Sequence, residues 1–152
     1  MLLRPYQKTD WPRLCEIHDQ ARRDELRASQ LEEAFLTLEA TAAGEGLFDG
    51  VVAVAVLHET VRGFVAFADG ELNWLYVDPC VYRKGVGRAL LRHAAAMSQG
   101  RMSTEVLVGN ECALALYRAE GFKVARRVDG RLTGNEAYPA SGYVLERAET
   151  KA

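Results

Sequence analysis

The residues best suited to chemistry in this chain gather around two glycines. Gly85 and Gly87 stand among Arg83, Lys84 and Arg88, shortly after an apolar run that ends at Val77 and is stopped by Asp78-Pro79. Past them, Val86, Leu90, Ala94 and Met97 recur at helical spacing, so the glycines open a helix with one apolar face. The first N–H groups of a helix lack intrahelical acceptors, and the helix dipole adds partial positive charge there. Glycine lets a ligand come close to that backbone. Residues 82–88 therefore predict a seat for a phosphate-bearing ligand, with Tyr82, Arg83, Lys84, Gly85, Val86, Gly87 and Arg88 around it.

Positioning such a seat takes a strand before it and a sheet around it. Leu72, Trp74, Tyr76 and Val77 have the composition of a buried strand. Upstream, Val51–His58, a tight turn at Glu59-Thr60, Val61–Ala68, a turn at Asp69-Gly70 and Glu71–Val77 read as three antiparallel strands in succession. Ser103–Val108 reads as another strand. Asn110 caps a helix that runs to about Glu120, with Gly121 as its C-terminal glycine. Phe122–Val128 and Gly142–Arg147 predict a final antiparallel pair joined by a loop bearing Gly, Asn and Pro. At the start, Leu2–Tyr6 is a strand. Thr9 or Asp10 caps a helix whose buried face is Leu14, Ile17, His18 and Ala21, while Arg22 to Arg27 reads as solvated surface. A second helix is expected from about Leu31 to Ala40, followed by a loose loop at Gly44, Gly46 and Gly50.

This order predicts an α/β (α+β) domain with a mixed, mostly antiparallel twisted sheet and helices on both faces. The strand–helix–strand unit from Leu72 to Val108 supplies its one parallel pair. Ligands in such sheets sit beyond the carboxyl ends of parallel strands, and Val77 and Val108 end where the glycine helix begins.

The bulk properties narrow the function. A length of 152 residues predicts a single domain, 1–152, with one sizeable core. A net charge of −2 argues against a nucleic-acid binder, and no apolar run reaches the ~20 residues of a membrane helix. The start of the chain, with Arg4, Pro5, Lys8 and Asp10, does not read as a secretory leader. Cys15, Cys80 and Cys112 are odd in number and lack metal-ligand spacing, which predicts reduced thiols and a cytoplasmic protein. His18, His58 and His93 fall on separate elements and form no metal pattern, so no metal is expected.

Gly85-Val86-Gly87 does not make a dinucleotide-binding fingerprint. Leu90 takes the place of the third glycine, and the acidic residue about 20 positions on would be Glu105, inside a strand. Two blocks instead carry a sharper likeness: Leu75-Tyr76-Val77-Asp78-Pro79 with Gly85-Val86-Gly87-Arg88-Ala89-Leu90-Leu91, and Asn110 with Ala115-Leu116-Tyr117-Arg118-Ala119-Glu120-Gly121-Phe122. In these the chain resembles the GNAT superfamily of N-acetyltransferases, and its element order follows that family over nearly its whole length. It departs in one place, where Tyr82 stands in the position usually held by Arg or Gln.

The resemblance implies the acyl-CoA N-acyltransferase fold, acetyl-CoA as donor and an amine as acceptor. It implies direct attack of the neutral amine on the thioester. The backbone of Leu75, Tyr76 and Val77 would pair with the pantetheine arm, residues Tyr82 to Arg88 would hold the diphosphate, and Asn110 would touch the cofactor. Tyr117 occupies the family's general-acid position and would protonate the leaving thiolate. Glu105 matches a base position and alternates with Ser103 and Leu107, while Glu71, acting through a water, is the other candidate base. An acceptor cleft could be lined by Trp11, Phe35, Trp74 and Tyr138, with Asp24, Glu25, Glu32 and Glu33 attracting a cationic amine. Small amines and protein N-termini both remain open as acceptors, as does a monomer or a homodimer. The alternative function is a regulatory module that binds acetyl-CoA without turnover.

Overall fold

The computed structural model describes residues 1–149. Along Val51–Leu57 (β2) and Thr60–Ala68 (β3), successive residues are buried on both faces, as a strand covered on two sides requires. Val52, Val54, Phe64 and Ala66 join one apolar cluster with Leu14, Ile17 and Leu38. Ala53, Ala55, Val65 and Phe67 join another with Val86, Leu90 and Leu114. The strand period of two does this sorting. The first cluster lies under α1 (Trp11–Ala28) and the short α2 (Leu38–Thr41), the second under α3 (Val86–Met97) and α4 (Glu111–Ala119).

The sheet is completed by β1 (Leu2–Pro5), β4 (Glu71–Val77), β5 (Met102–Leu107), β6 (Lys123–Leu132) and β7 (Asn135–Arg147). Its seven strands lie in the order β1-β2-β3-β4-β5-β7-β6, and only β4 and β5 are parallel. The mixed, mostly antiparallel sheet with helices on both faces is thus as its sequence predicts.

The parallel pair is brief. Glu71 pairs with Ser103 and Leu72 with Thr104, and beyond these the strands part. The cause lies on the other edge of β4. Leu72 faces Phe67 and Trp74 faces Ala66, so Asn73 is an extra residue in the ladder. Such a bulge bends its strand and increases the local twist.

Three expectations are corrected. No helix spans Leu31–Ala40. Gln30 turns left-handed (φ 59°), Glu32–Ala34 forms a single 3-10 turn, Phe35 is extended, and the helix restarts at Leu38. Two long-range contacts override the local period: the Arg23 guanidinium lies 4.1 Å above the Phe35 ring, and the Asp19 carboxylate accepts the Leu38 N–H at 2.9 Å.

The expected loop between the last two strands is itself strand. The hairpin stays paired through Arg131 and Pro139 to Leu132 and Asn135. Pro139 is tolerated because β5 has already ended opposite Gly142, so its missing N–H interrupts no second ladder. Finally, Arg22–Arg27 is not simply solvated surface: Leu26 is fully buried, and Arg22 is paired with Glu25 against the sheet.

Candidate functional site

Where β4 and β5 part, the sheet opens into a cavity of about 640 Å³. Leu75, Tyr76 and Val77 line one wall, Thr104, Glu105 and Val106 the other, and the start of α3 and α4 close the sides. The β5-facing edge of residues 74–77 has no strand partner among the described residues. Its amides and carbonyls are therefore free for a ligand that can pair as a strand does.

The mouth is shaped by residues 78–88. Asp78 is buried and gathers three donors: the Cys80 amide at 2.9 Å, the Arg62 guanidinium at 2.7 Å and the Arg13 guanidinium. Burial alone would push its carboxyl up, but these donors outweigh that and hold it at about 2. Ionised at neutral pH, Asp78 thus fixes the loop's entry to α1 and β3. Arg83 (φ 63°) and Gly85 (φ 84°) both take left-handed backbone, bending the chain so that α3 begins on Val86. Gly87 is different. It needs no left-handed backbone, and a Cβ there would sit 3.5 Å from Leu116 and 3.6 Å from Val77, an ordinary contact. The fold therefore does not itself require glycine at 87, and the open surface it leaves fits the close approach of a phosphate.

Around this mouth, Tyr82, Arg83, Gly85, Val86, Gly87 and Arg88 line the cavity, whereas Lys84 is exposed and off its wall. Arg88 also pairs with Glu120 at 2.9 Å, and Arg92 shares that carboxylate. The Tyr82 hydroxyl donates to Asp24 at 3.2 Å, spanning from the loop to α1. Asn110 caps α4, its side chain accepting the Ala113 N–H at 3.3 Å.

Tyr117 lies deeper, 6% exposed, with its ring edge-on to Phe122 at 5.2 Å. Burial raises its phenol well above the ordinary value, only partly offset by the Thr104 hydroxyl, so the proton stays on the oxygen. A protonated phenol lining a cavity can donate a hydrogen bond.

On the α1 side a second cavity, of about 470 Å³, runs between α1, the segment 34–45 and the β6–β7 hairpin. It shares Glu25, Leu72, Asn73, Tyr76 and Glu105 with the first, so the two cavities meet at the parting of the strands. The Tyr76 hydroxyl donates to Glu25 at 2.9 Å, and Arg22 pairs with the same carboxylate. His18 is buried beside them, with Nδ1 2.9 Å from Asp19 and its ring 4.9 Å from Tyr76. Burial pulls its pKa below the usual histidine value, leaving it neutral.

The candidate bases part company. Glu105 stands at the meeting point of the cavities, exposed on β5. Glu71 lies at the closed end of β4, opposite Ser103, and lines neither cavity, because the strands separate only beyond Leu72. Of the expected cleft aromatics only Trp74 lines a wall; Trp11 packs on Phe48, Phe35 lies under Arg23, and the Tyr138 hydroxyl is spent on the Glu33 carbonyl. Glu25 lines both cavities and Asp24 the first, while Glu32 and Glu33 line neither.

Sequence reasoning missed Asn73, Arg22 and Thr104. Asn73 did leave a signal: it is a polar residue set between Leu72 and Trp74 in an otherwise apolar strand.

A parted parallel pair with a glycine-led helix at its mouth matches known proteins. The chain belongs to the acetyltransferase (GNAT) domain family, the match covering residues 33–124. Peptidyl-lysine N-acetyltransferase YjaB of Escherichia coli (strain K12) is 38% identical over 65 residues, 43% of this chain and 44% of YjaB. N-alpha-acetyltransferase RimI of Mycobacterium tuberculosis is 39% identical over 71 residues, 45% of each chain. The matches thus span somewhat under half of these curated relatives. The structure of yncA from Salmonella typhimurium with its cofactor acetyl-CoA superposes with a TM-score of 0.72 at 19% identity, covering 99% of this chain and 95% of that one. The fold is that of the acyl-CoA N-acyltransferases.

Proposed function

We propose that this chain is an N-acetyltransferase that takes an acetyl group from acetyl-CoA and passes it to a primary amine. The observation that carries the reading is the parting of β4 from β5, with an unpaired strand edge on one wall and the amides of the α3 start at its mouth. Family membership and the acetyl-CoA complex of yncA support the donor.

Each job falls to named residues. The free backbone edge at Leu75, Tyr76 and Val77 is the partner for the amide-bearing pantetheine arm. The loop from Tyr82 to Arg88, led by the amides around Gly85 and Gly87, holds the diphosphate, and Asn110 lies alongside. Tyr117 keeps its proton for the departing sulfur. Glu105, at the junction with the second cavity, takes the proton from the incoming amine. Taking a proton from the amine and giving one to the leaving thiolate is where such side chains lower the barrier.

The test measures acetyl-CoA binding by calorimetry and thiol release with an amine panel, in the natural protein and in Gly87→Glu. A Cβ at 87 makes only ordinary contacts, so the backbone accepts a side chain there, and a glutamate places bulk and negative charge at the diphosphate seat. Binding and thiol release in the natural protein, and neither in the folded variant, are expected. Equal affinity in both overturns the seat. Binding without thiol release for any amine reduces the protein to a regulatory acetyl-CoA-binding module.

A further inference from the structure

The walls of the second cavity are joined to one another. Leu132 near the tip of the β6–β7 hairpin is 3% exposed, against Leu26 at 0% and Ala34 at 2%. Beside this cluster the Asn135 side chain donates to the Ala34 carbonyl at 3.0 Å, and the Tyr138 hydroxyl donates to the Glu33 carbonyl at 3.3 Å. The hairpin is therefore fastened to the connection between α1 and α2 by an apolar plug and two hydrogen bonds. Those two elements wall the cavity that reaches Glu105, and a polypeptide entering it between them would have to pass through this fastening. A chain in extended conformation needs a clear channel about 5 Å wide for its backbone and more for its side chains. Here the channel is crossed, and clearing it would expose the buried Leu26 and Leu132 to water.

What remains is a partly open cavity of about 470 Å³, within the ~300–1,000 Å³ usual for small-molecule sites. Its lining is polar. Glu45 and Glu105 form no ion pair among the described residues, Glu25 is already balanced by Arg22, and Arg131 is the one further guanidinium on the wall. Counting these groups, two free carboxylates face one free guanidinium, which favours a cation.

We infer that the acceptor is a compact, polar, cationic small-molecule amine, held beside the fastened hairpin, and not a polypeptide N-terminus or lysine side chain. This rests on the transfer reaction proposed above. It separates this chain from YjaB and RimI, whose names refer to peptidyl-lysine and N-alpha acetylation.

Two acceptor sets, small polar amines and short peptides with a free N-terminus or a lysine, are compared at saturating acetyl-CoA by thiol release and product mass. The expected result is a small amine whose kcat/KM exceeds that of every peptide by about 10-fold or more. A peptide that equals or exceeds the best small amine overturns the inference while leaving the transfer reaction intact. Failure of acetyl-CoA to bind, or absence of thiol release with both sets, overturns the transfer reading itself. Asn135→Ala, which removes one fastening bond without opening the plug, gives a second measure. Its KM for the small amine rises several-fold with acetyl-CoA affinity unchanged; an unaltered KM for every amine counts against the inference.

Discussion

At Tyr117 one side chain carries both packing and chemistry. Its ring packs edge-on to Phe122 within the α3–α4 core, and the residue also lines the cavity with its proton held by burial. Tyr117→Phe keeps the ring and removes only the proton donor. We expect thermal stability within about 1 kcal/mol of the natural protein, unchanged acetyl-CoA affinity, and kcat lower by roughly 100-fold. Equal kcat in the two proteins would remove Tyr117 from the chemistry. Tyr76 shows how position divides two tyrosines of the same kind. It packs on the α1 face, donates to Glu25 and lies against His18, so its phenol is a fixed hydrogen-bond donor where the two cavities meet.

Elements here are held by a few charged ties as much as by apolar faces. Asp78 follows β4, caps the 3-10 turn Pro79–Val81, and joins α1 through Arg13 to β3 through Arg62. Its carboxyl titrates at about 2 in the fold against 3.8 ordinarily. Its ionisation therefore stabilises the native state by about 2 kcal/mol, fully above about pH 4 and progressively less as pH falls toward 2. Asp78→Asn should lose at least that much at pH 7 and leave two guanidiniums short of a partner. Denaturant unfolding should find the natural and variant proteins far apart at neutral pH and nearer together below pH 3. A constant difference across that range would mean that the carboxylate's charge is not what ties the loop. The α1–α2 connection makes the complementary point: Leu31, Phe35 and Leu38 have helical spacing, yet Phe35 is extended beneath Arg23 and the helix begins only at Leu38, whose N–H is held by Asp19.

Taken whole, the molecule is a two-faced sheet opened at one place, and a ligand that fills the opening bridges α1, β4, β5, α3 and α4 at once. Such a ligand binds the native state and not the unfolded chain. At about 100 times its Kd, acetyl-CoA should add ~2.7 kcal/mol, a rise in Tm of roughly 5–10 °C for a domain of this size. Coenzyme A without the acetyl group should give most of this shift, since the diphosphate seat and strand edge lie along the rest of the molecule. A scan with saturating acetyl-CoA that leaves Tm unmoved would deny that the opening is the donor site. No helix among the described residues is long and apolar enough to cross a membrane.

The amino-acid sequence by itself determined what depends on near neighbours. The apolar runs of β2 and β3, the stop at Asp78-Pro79, the glycine-led start of α3 and the Asn110 cap are local signals, and each element formed close to where those signals placed it. The loop at residues 82–88 was legible for the same reason, because glycines and cations beside a helix start act within a single turn. Only the tertiary structure decided the bulge at Asn73, the parting of β4 from β5, the burial of Arg22 and the fastening of Leu132 over Ala34. A bulge exists only relative to a partner strand's register, and a roof only relative to what lies beneath it. The bulge rests on how β4 pairs with β3, and the roof on contacts between residues as far apart as Ala34 and Asn135, and no local pattern encodes either.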